Sequence, residues 1–319
     1  MTDIKTHPRN LVGYGSNPPD PKWPGGAKVA ISFVLNYEEG GENTVVNGDK
    51  GSEVFLNETP GGASRVGTRD PNMETQYEYG SRAGVWRVAN IFAKRNFKFT
   101  VYAVGRAVEL NPTVITALHN AGHDIASHNH RWIDYAAVPP AEMRAHVKAC
   151  VEAIKSATGQ NPKGWYTGRI GPDSRREVVK ALKEMGIKLE WESDTYNDDL
   201  PYWSWDFEDI TGEPLLILPY TLDANDMKFC VPPGFSSPDG FEQYIKDAID
   251  QLLEEGRDGH PKMLSVGLHC RLAGRPGRAP ALGRILDYVK SLGPDVWVAT
   301  RSEIADHWMK VVPKPTKKA

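Results

Sequence analysis

The stretch Lys28-Val29-Ala30-Ile31-Ser32-Phe33-Val34-Leu35-Asn36 is apolar almost without a break, and it is rich in β-branched and aromatic side chains. Pro24-Gly25-Gly26 precedes it and Gly40-Gly41 ends it. A strand that is apolar on both faces is buried on both faces, as happens in a parallel sheet covered by helices. Working outward, the same alternation repeats to residue 300. Helices are expected over 83–95, 112–121, 140–158, 174–185, 238–255 and 279–292. Strands are expected over 99–104, 125–127, 164–167, 189–192, 215–220, 263–269 and 296–300. Regular strand-then-helix order predicts an α/β fold, an irregular (β/α) barrel. With no repeat and no linker, residues 1–319 are expected to form one catalytic domain with an N-terminal extension. The polar stretch 42–78 has little periodicity and is expected as a long insertion over a site or a subunit interface.

The composition narrows the function. Of 319 residues, 40% are hydrophobic and 25% charged, with 38 basic against 41 acidic side chains. A net charge of −3 gives no basic field for a nucleic acid. No apolar run is long enough to span a membrane, and the start of the chain lacks a secretory pattern. Cys150, Cys230 and Cys270 are too few and too scattered for a disulfide framework. A cytoplasmic location is expected. Trp86, Trp165 and Trp191 are expected as core aromatics, His123 as structural, and the tail 310–318 as a disordered end.

In a β/α barrel the chemistry gathers at the C-terminal ends of the strands. The polar residues there are Glu38 and Glu39, then His128, then Arg169 after Tyr166-Thr167-Gly168. Asp194 and the Asp198-Asp199 pair follow, and His269 and Arg271 close the list. One such carboxylate is usually a solvated loop residue. Carboxylates, imidazoles and guanidiniums at five successive strand ends point to acid–base chemistry.

These segments resemble the polysaccharide-deacetylase (NodB homology) superfamily over most of the chain. Its Thr-Phe-Asp-Asp-Gly motif corresponds to Asn36-Tyr37-Glu38-Glu39-Gly40, and its histidine motif to Gly122-His123-Asp124-Ile125-Ala126-Ser127-His128-Asn129-His130-Arg131-Trp132. The resemblance implies a general base at Glu38 and a metal ligand at Glu39, with metal histidines at His128 and Trp132. An indole does not coordinate a metal, and both aspartates have become longer glutamates. No metal and no cofactor are therefore expected, although His130, two residues from His128, is a stand-in ligand to be tested. The stretches 12–19, 33–42, 77–86, 131–135, 164–169 and 267–271 are similar to the metal-independent allantoinases of this superfamily. That resemblance implies hydrolytic opening of allantoin to allantoate and a homo-oligomer, with a tetramer suspected.

The chemistry is coherent without a metal. A bound metal lowers the pKa of water from about 15.7 to about 7, and losing it leaves an unstrained amide hard to cleave. A hydantoin carbonyl flanked by an imide-type nitrogen is more electrophilic. Glu38 is expected as the base, with Glu39 beside it raising one of the two pKa values. Strand alternation would point these two to opposite faces; both reach the site only if the chain leaves the strand at Gly40-Gly41. His128 or His269 would protonate the leaving nitrogen or steady the oxyanion. Arg169 and Arg271 offer planar forks, Trp132 a flat wall, and Tyr166 and Asp198 further contacts to the substrate; Asp198-Asp199 reads equally as a turn cap. A related cyclic-imide hydrolase, a metal-dependent polysaccharide deacetylase and a non-catalytic sugar-binding protein remain as alternatives.

Overall fold

The nine residues of β1 (Val29–Tyr37) are all buried, and their side chains divide by parity. Val29, Ile31, Phe33 and Leu35 join the core under the helices, while Ala30 and Val34 join a second core inside the curl of the sheet. In the computed structural model, which describes residues 9–316, β1 is the axis of the architecture. It pairs in parallel with β8 (Lys262–His269) along one edge. Its other edge is shared: β2 (Thr100–Ala103) takes Val34 to Tyr37, and β9 (Val296–Val298) takes Val29 to Ile31.

From β2 the sheet continues through β3 (Asp124–Ser127), β4 (Gly164–Trp165), β5 (Trp191–Glu192) and β7 (Leu215–Ile217), all parallel. The short β6 (Tyr202–Ser204) pairs antiparallel with β7 at the far edge. The sheet curls into a half-barrel. Its gap is spanned by irregular backbone, with Met263 N donating to Asp199 O and Gly267 N to Ala224 O, both at 2.9 Å. The expected barrel is thus an open one.

Helices cover the outside. They are α1 (Pro71–Tyr79), α2 (Val85–Ala93), α3 (Gly105–Leu110), α4 (Pro112–Asn120), α5 (Pro140–Thr158) and α6 (Ser174–Glu184), followed by α7 (Glu208–Thr211), α8 (Pro238–Arg257) and α9 (Ala279–Ser291); α10 (Arg301–Val311) instead sends Ile304, Ala305 and Trp308 into the core inside the curl. Two of the longer ones escaped the sequence reading. Helix α1 lies inside the stretch taken as aperiodic; Asp70 caps it through Asn72 N, and Pro71 opens it. Helix α10 follows the last expected strand and carries a Thr300/Glu303 capping box. Lys310 belongs to α10, and Lys314 pairs with Glu213 at 2.6 Å, so that part of the tail is ordered; Lys317 and Lys318 lie outside the described residues.

Inside the curl, the fully buried Arg301 stands where apolar packing would be expected. It donates to Ser265 Oγ and Ser193 Oγ at 2.6 Å and to Pro219 O at 3.0 Å, tying β8 to the chain just after β5 and after β7. Trp165 and Trp191 are core residues, but Trp86 is 40% exposed on the outer side of α2. His123 stacks on Phe99 with ring centroids 3.7 Å apart, a structural role as expected. No helix among the described residues is long and apolar enough to cross a membrane.

Candidate active site

Register brings the strand ends to one rim. Asn36 lies opposite His269, Tyr37 opposite Ala103, and Ala103 opposite Ser127. Backbone bonds continue the ladder past the strands: Val104 N to Tyr37 O, His128 N to Ala103 O, and Tyr166 N to Ser127 O. The parity that puts Ala30 and Val34 inside the curl puts Glu38 there too.

Glu38 is the hub. Its Oε1 lies 3.3 Å from His128 Nε2 and 3.4 Å from His269 Nε2, and its Oε2 accepts from an Arg271 Nη at 2.7 Å. The carboxylate is 0% exposed, and both histidines and Arg271 are buried around it. Burial opposes its ionisation, but His269, Arg271 and His128 outweigh that and hold its pKa well below the ordinary carboxylate range.

His269 is fixed from behind by Asp226, a residue the sequence reading missed. Asp226 Oδ1 lies 2.6 Å from His269 Nδ1, and Oδ2 accepts from the backbone N–H groups of His269 and Ala273 at 2.8 and 2.9 Å. Burial depresses the His269 pKa, but Glu38 and Asp226 together push it up to about 9. The group thus holds an ionised carboxylate and a protonated imidazole side by side at neutral pH. Asp226 sits in a short turn outside any strand end, and Asn225, which caps that turn, was its only local signal.

Arg271 lies between aromatic rings, 4.0 Å from the Tyr77 centroid and 5.1 Å from that of Trp132. Its Nε and second Nη, together with Tyr77 Oη and His128 Nδ1, are buried polar atoms without a partner. Such atoms are costly unless something polar comes between them.

Glu39 does not enter the same space. Alternation persists past β1, so its carboxyl turns outward to α1 and the wide helical turn Gly80–Gly84 that follows it. Its Oε2 accepts from Glu38 N at 2.9 Å, and a β-carbon on Gly80 would lie 2.0 Å from its Oε1. Only glycine at position 80 lets the helix backbone come this close. The chain does turn at Gly40 (φ 99°), where Gly41 N bonds Glu38 O, but one residue too late to bring Glu39 inside. Glu39 is therefore corrected from a catalytic candidate to a support behind Glu38. Burial pushes its pKa up to about 7, against the pull of Arg271 and with the help of Glu38.

The other candidates fall as follows. Trp132 is buried against Arg271, with Phe55 stacked on it at 5.7 Å and 25°. Tyr166 packs 5.0 Å from His128, and its hydroxyl meets that of Tyr196 at 3.0 Å. Arg169 lies 5.1 Å from the Trp132 ring, with its charge on Glu53 at 3.0 Å. Asp198 is not brought to the Glu38 group: its Oδ1 accepts from Leu200 N at 3.1 Å, the turn-capping role, and the substrate-contact expectation is corrected. Asp194 accepts from Thr167 N and Gly168 N, which shapes the loop that carries Arg169.

The divalent ion implied for the wider superfamily does not fit these side chains. Trp132 fills one ligand position, and the fixed positive charge of Arg271 already neutralises Glu38. His130 turns to Glu109 at 2.9 Å instead of to Glu38. No group of three His, Cys, Asp or Glu side chains among the described residues is arranged to hold a metal.

The curled half-barrel thus carries a buried carboxylate–imidazole cluster of the kind that serves acid–base hydrolysis. A polysaccharide deacetylase family model matches residues 66–189. A Schizosaccharomyces pombe protein, provisionally named a polysaccharide deacetylase, is 46% identical over 313 residues, 94% of this chain and 96% of that one. Two crystal structures align over 97% of this chain. One, of a probable polysaccharide deacetylase of Pseudomonas aeruginosa PAO1, is 50% identical with a TM-score of 0.91 over 100% of that chain. The other, of PuuE allantoinase, is 49% identical with a TM-score of 0.92 over 99% of that chain. The chain belongs to the polysaccharide deacetylase family.

The raised pKa of Glu39 has a stability consequence. Between its ordinary 4.5 and about 7 the folded chain binds more protons at Glu39 than the unfolded chain does, so stability falls as pH rises through that window. Glu39→Gln removes this cost. Urea unfolding is expected to show a gain of roughly 1–3 kcal/mol at pH 8 and almost none at pH 4, with a residual slope from Glu42, whose pKa burial also raises to about 7. Equal effects at both pH values would contradict this assignment.

Proposed function

We propose that the chain hydrolyses a small cyclic ureide, allantoin, opening the ring to allantoate by general acid–base catalysis without a metal. The observation that carries this reading is the Glu38 cluster itself: a base, an acid and unpartnered guanidinium N–H groups buried together. The similarity to PuuE allantoinase supports it.

Glu38, ionised at neutral pH, takes a proton from the attacking water as the C–O bond forms at the ring carbonyl. The free N–H groups of Arg271 receive the developing oxyanion. That shift weakens the hold of Arg271 on Glu38 and makes the carboxylate more basic as the proton arrives. His269 donates its proton to the ring nitrogen as the C–N bond breaks. Glu38 then returns its proton to His269 across 3.4 Å, restoring both groups. The new acid ionises to solvent, giving the carboxylate product. Asp226 acts through His269 as a positioning residue.

The names of the fission-yeast and Pseudomonas proteins favour the second reading, removal of N-acetyl groups from a sugar polymer. A panel of allantoin, hydantoin, succinimide, dihydrouracil and chitin oligomers separates the two. Allantoin is expected to turn over fastest, and Glu38→Gln to lower kcat by ~10²–10⁴-fold with folding intact. Turnover of the oligomers alone, or a fully active Glu38→Gln, would sink the proposal.

The proposal extends to a cytoplasmic enzyme that assembles with itself, as the resemblance implies. Val46, Val54 and Val66 leave apolar surface exposed on the 42–78 stretch, which supports reading part of it as a subunit interface. Light scattering at micromolar concentration is expected to give a multiple of the chain mass, a tetramer by the same resemblance. A monomer would remove this part.

A further inference from the structure

The Glu38 cluster is closed from solvent. Glu38, His128, His269, Arg271, Tyr77 and Trp132 are all buried, so a ligand of any size enters only if something moves. On the outside, Trp132 is covered by Phe55, itself 40% exposed, and by the Arg169 guanidinium, 5.1 Å from its ring.

The chain around Phe55 is built unevenly. On the far side it is pinned: Gln76 donates to Asn57 Oδ1 at 3.1 Å and to Thr59 Oγ1 at 2.9 Å, and Arg278 pairs with Glu58. On the near side, Ser52 N bonds Arg65 O at 3.2 Å. Between these anchors Glu53 N donates to Asn43 O at 2.8 Å, and residues 54 and 55 are held by the Glu53 side chain. Glu53 pairs with Arg169 at 3.0 Å, and its Oε1 accepts from Val54 N and Phe55 N at 3.0 Å. Leu56 adopts φ +56°, a left-handed conformation that a branched aliphatic side chain disfavours. A strained residue thus adjoins an aromatic plug, and the Glu53 carboxylate, which also accepts from Asn43 Nδ2, fastens the plug to Arg169 on the far rim.

We propose that Phe55 is the gate to the buried Glu38 cluster and sets the size of ligand it admits, with the Glu53–Arg169 pair as its latch. Opening lifts Phe55 from Trp132 and frees the Arg169 guanidinium; closing over a bound ring shuts water out of the Glu38 cluster. A cluster shut in this way takes one small ring and excludes a polymer, which needs an open groove. The inference rests on reading the cluster as the reactive site, but its test does not depend on turnover.

The test is the rate at which diethyl pyrocarbonate modifies His128, followed by mass spectrometry, with the exposed His260 as internal reference. Phe55→Ala is expected to speed modification at His128 by about tenfold or more relative to His260, and Glu53→Gln by about threefold or more. Phe55→Trp, which enlarges the plug, is expected to slow it and serves if the alanine variant fails to fold. Unchanged ratios in the folded variants overturn the gate. With turnover as a second readout, Phe55→Ala is expected to raise the rate on 5-benzylhydantoin relative to hydantoin by about tenfold. If no ring is hydrolysed yet His128 becomes accessible, the proposed function fails and the gate stands.

Discussion

A carboxylate with no water to solvate it is the constraint on which the rest of this site depends. Burying Glu38 alone would cost several kcal/mol, and its ionisation survives because two imidazoles and a guanidinium surround it. Each partner in turn needs its own support. Asp226 keeps His269 protonated and oriented, and Tyr77 and Trp132 flank Arg271 with aromatic faces. Remove the carboxylate and both cations lose the charge that stabilises them. Acid and base are therefore set as a unit, not residue by residue.

The same arrangement accounts for the failure of a metal to fit. A divalent ion and a buried guanidinium would compete for one carboxylate, and Arg271 is covalently in place. Trp132 does more than delete a ligand: it forms a wall on which Arg271, Arg169 and Phe55 all rest. An indole at this position is thus integrated into the packing of the site, and its neighbours are chosen to match.

Much of this was legible in the sequence for a definite reason. The nearly continuous apolar run at 28–36 forecast a strand buried on both faces, and β1 is that strand. Strand parity, counted from Ala30 and Val34, already sends Glu38 inward and Glu39 outward; the glycines at 40 and 41 obscured this by offering an escape the chain does not take. Helix α1 went unseen because its sequence, PNMETQYEY, has only Met73 and Tyr77 buried, too few for a visible period. Asp226 went unseen because its role is set by contact across 43 positions of chain, which no local pattern carries. Asp198 looked functional by position, but a carboxylate at a strand end serves a turn equally well.

The central claim is that side chains alone, led by Glu38, supply what a metal would otherwise provide. Its most direct test is the rate of allantoin hydrolysis by protein stripped with a strong chelator, with metal content measured on the same sample by mass spectrometry. The account predicts an undiminished rate at well under one metal ion per chain. A rate that falls with chelation and returns on adding zinc or cobalt would contradict it.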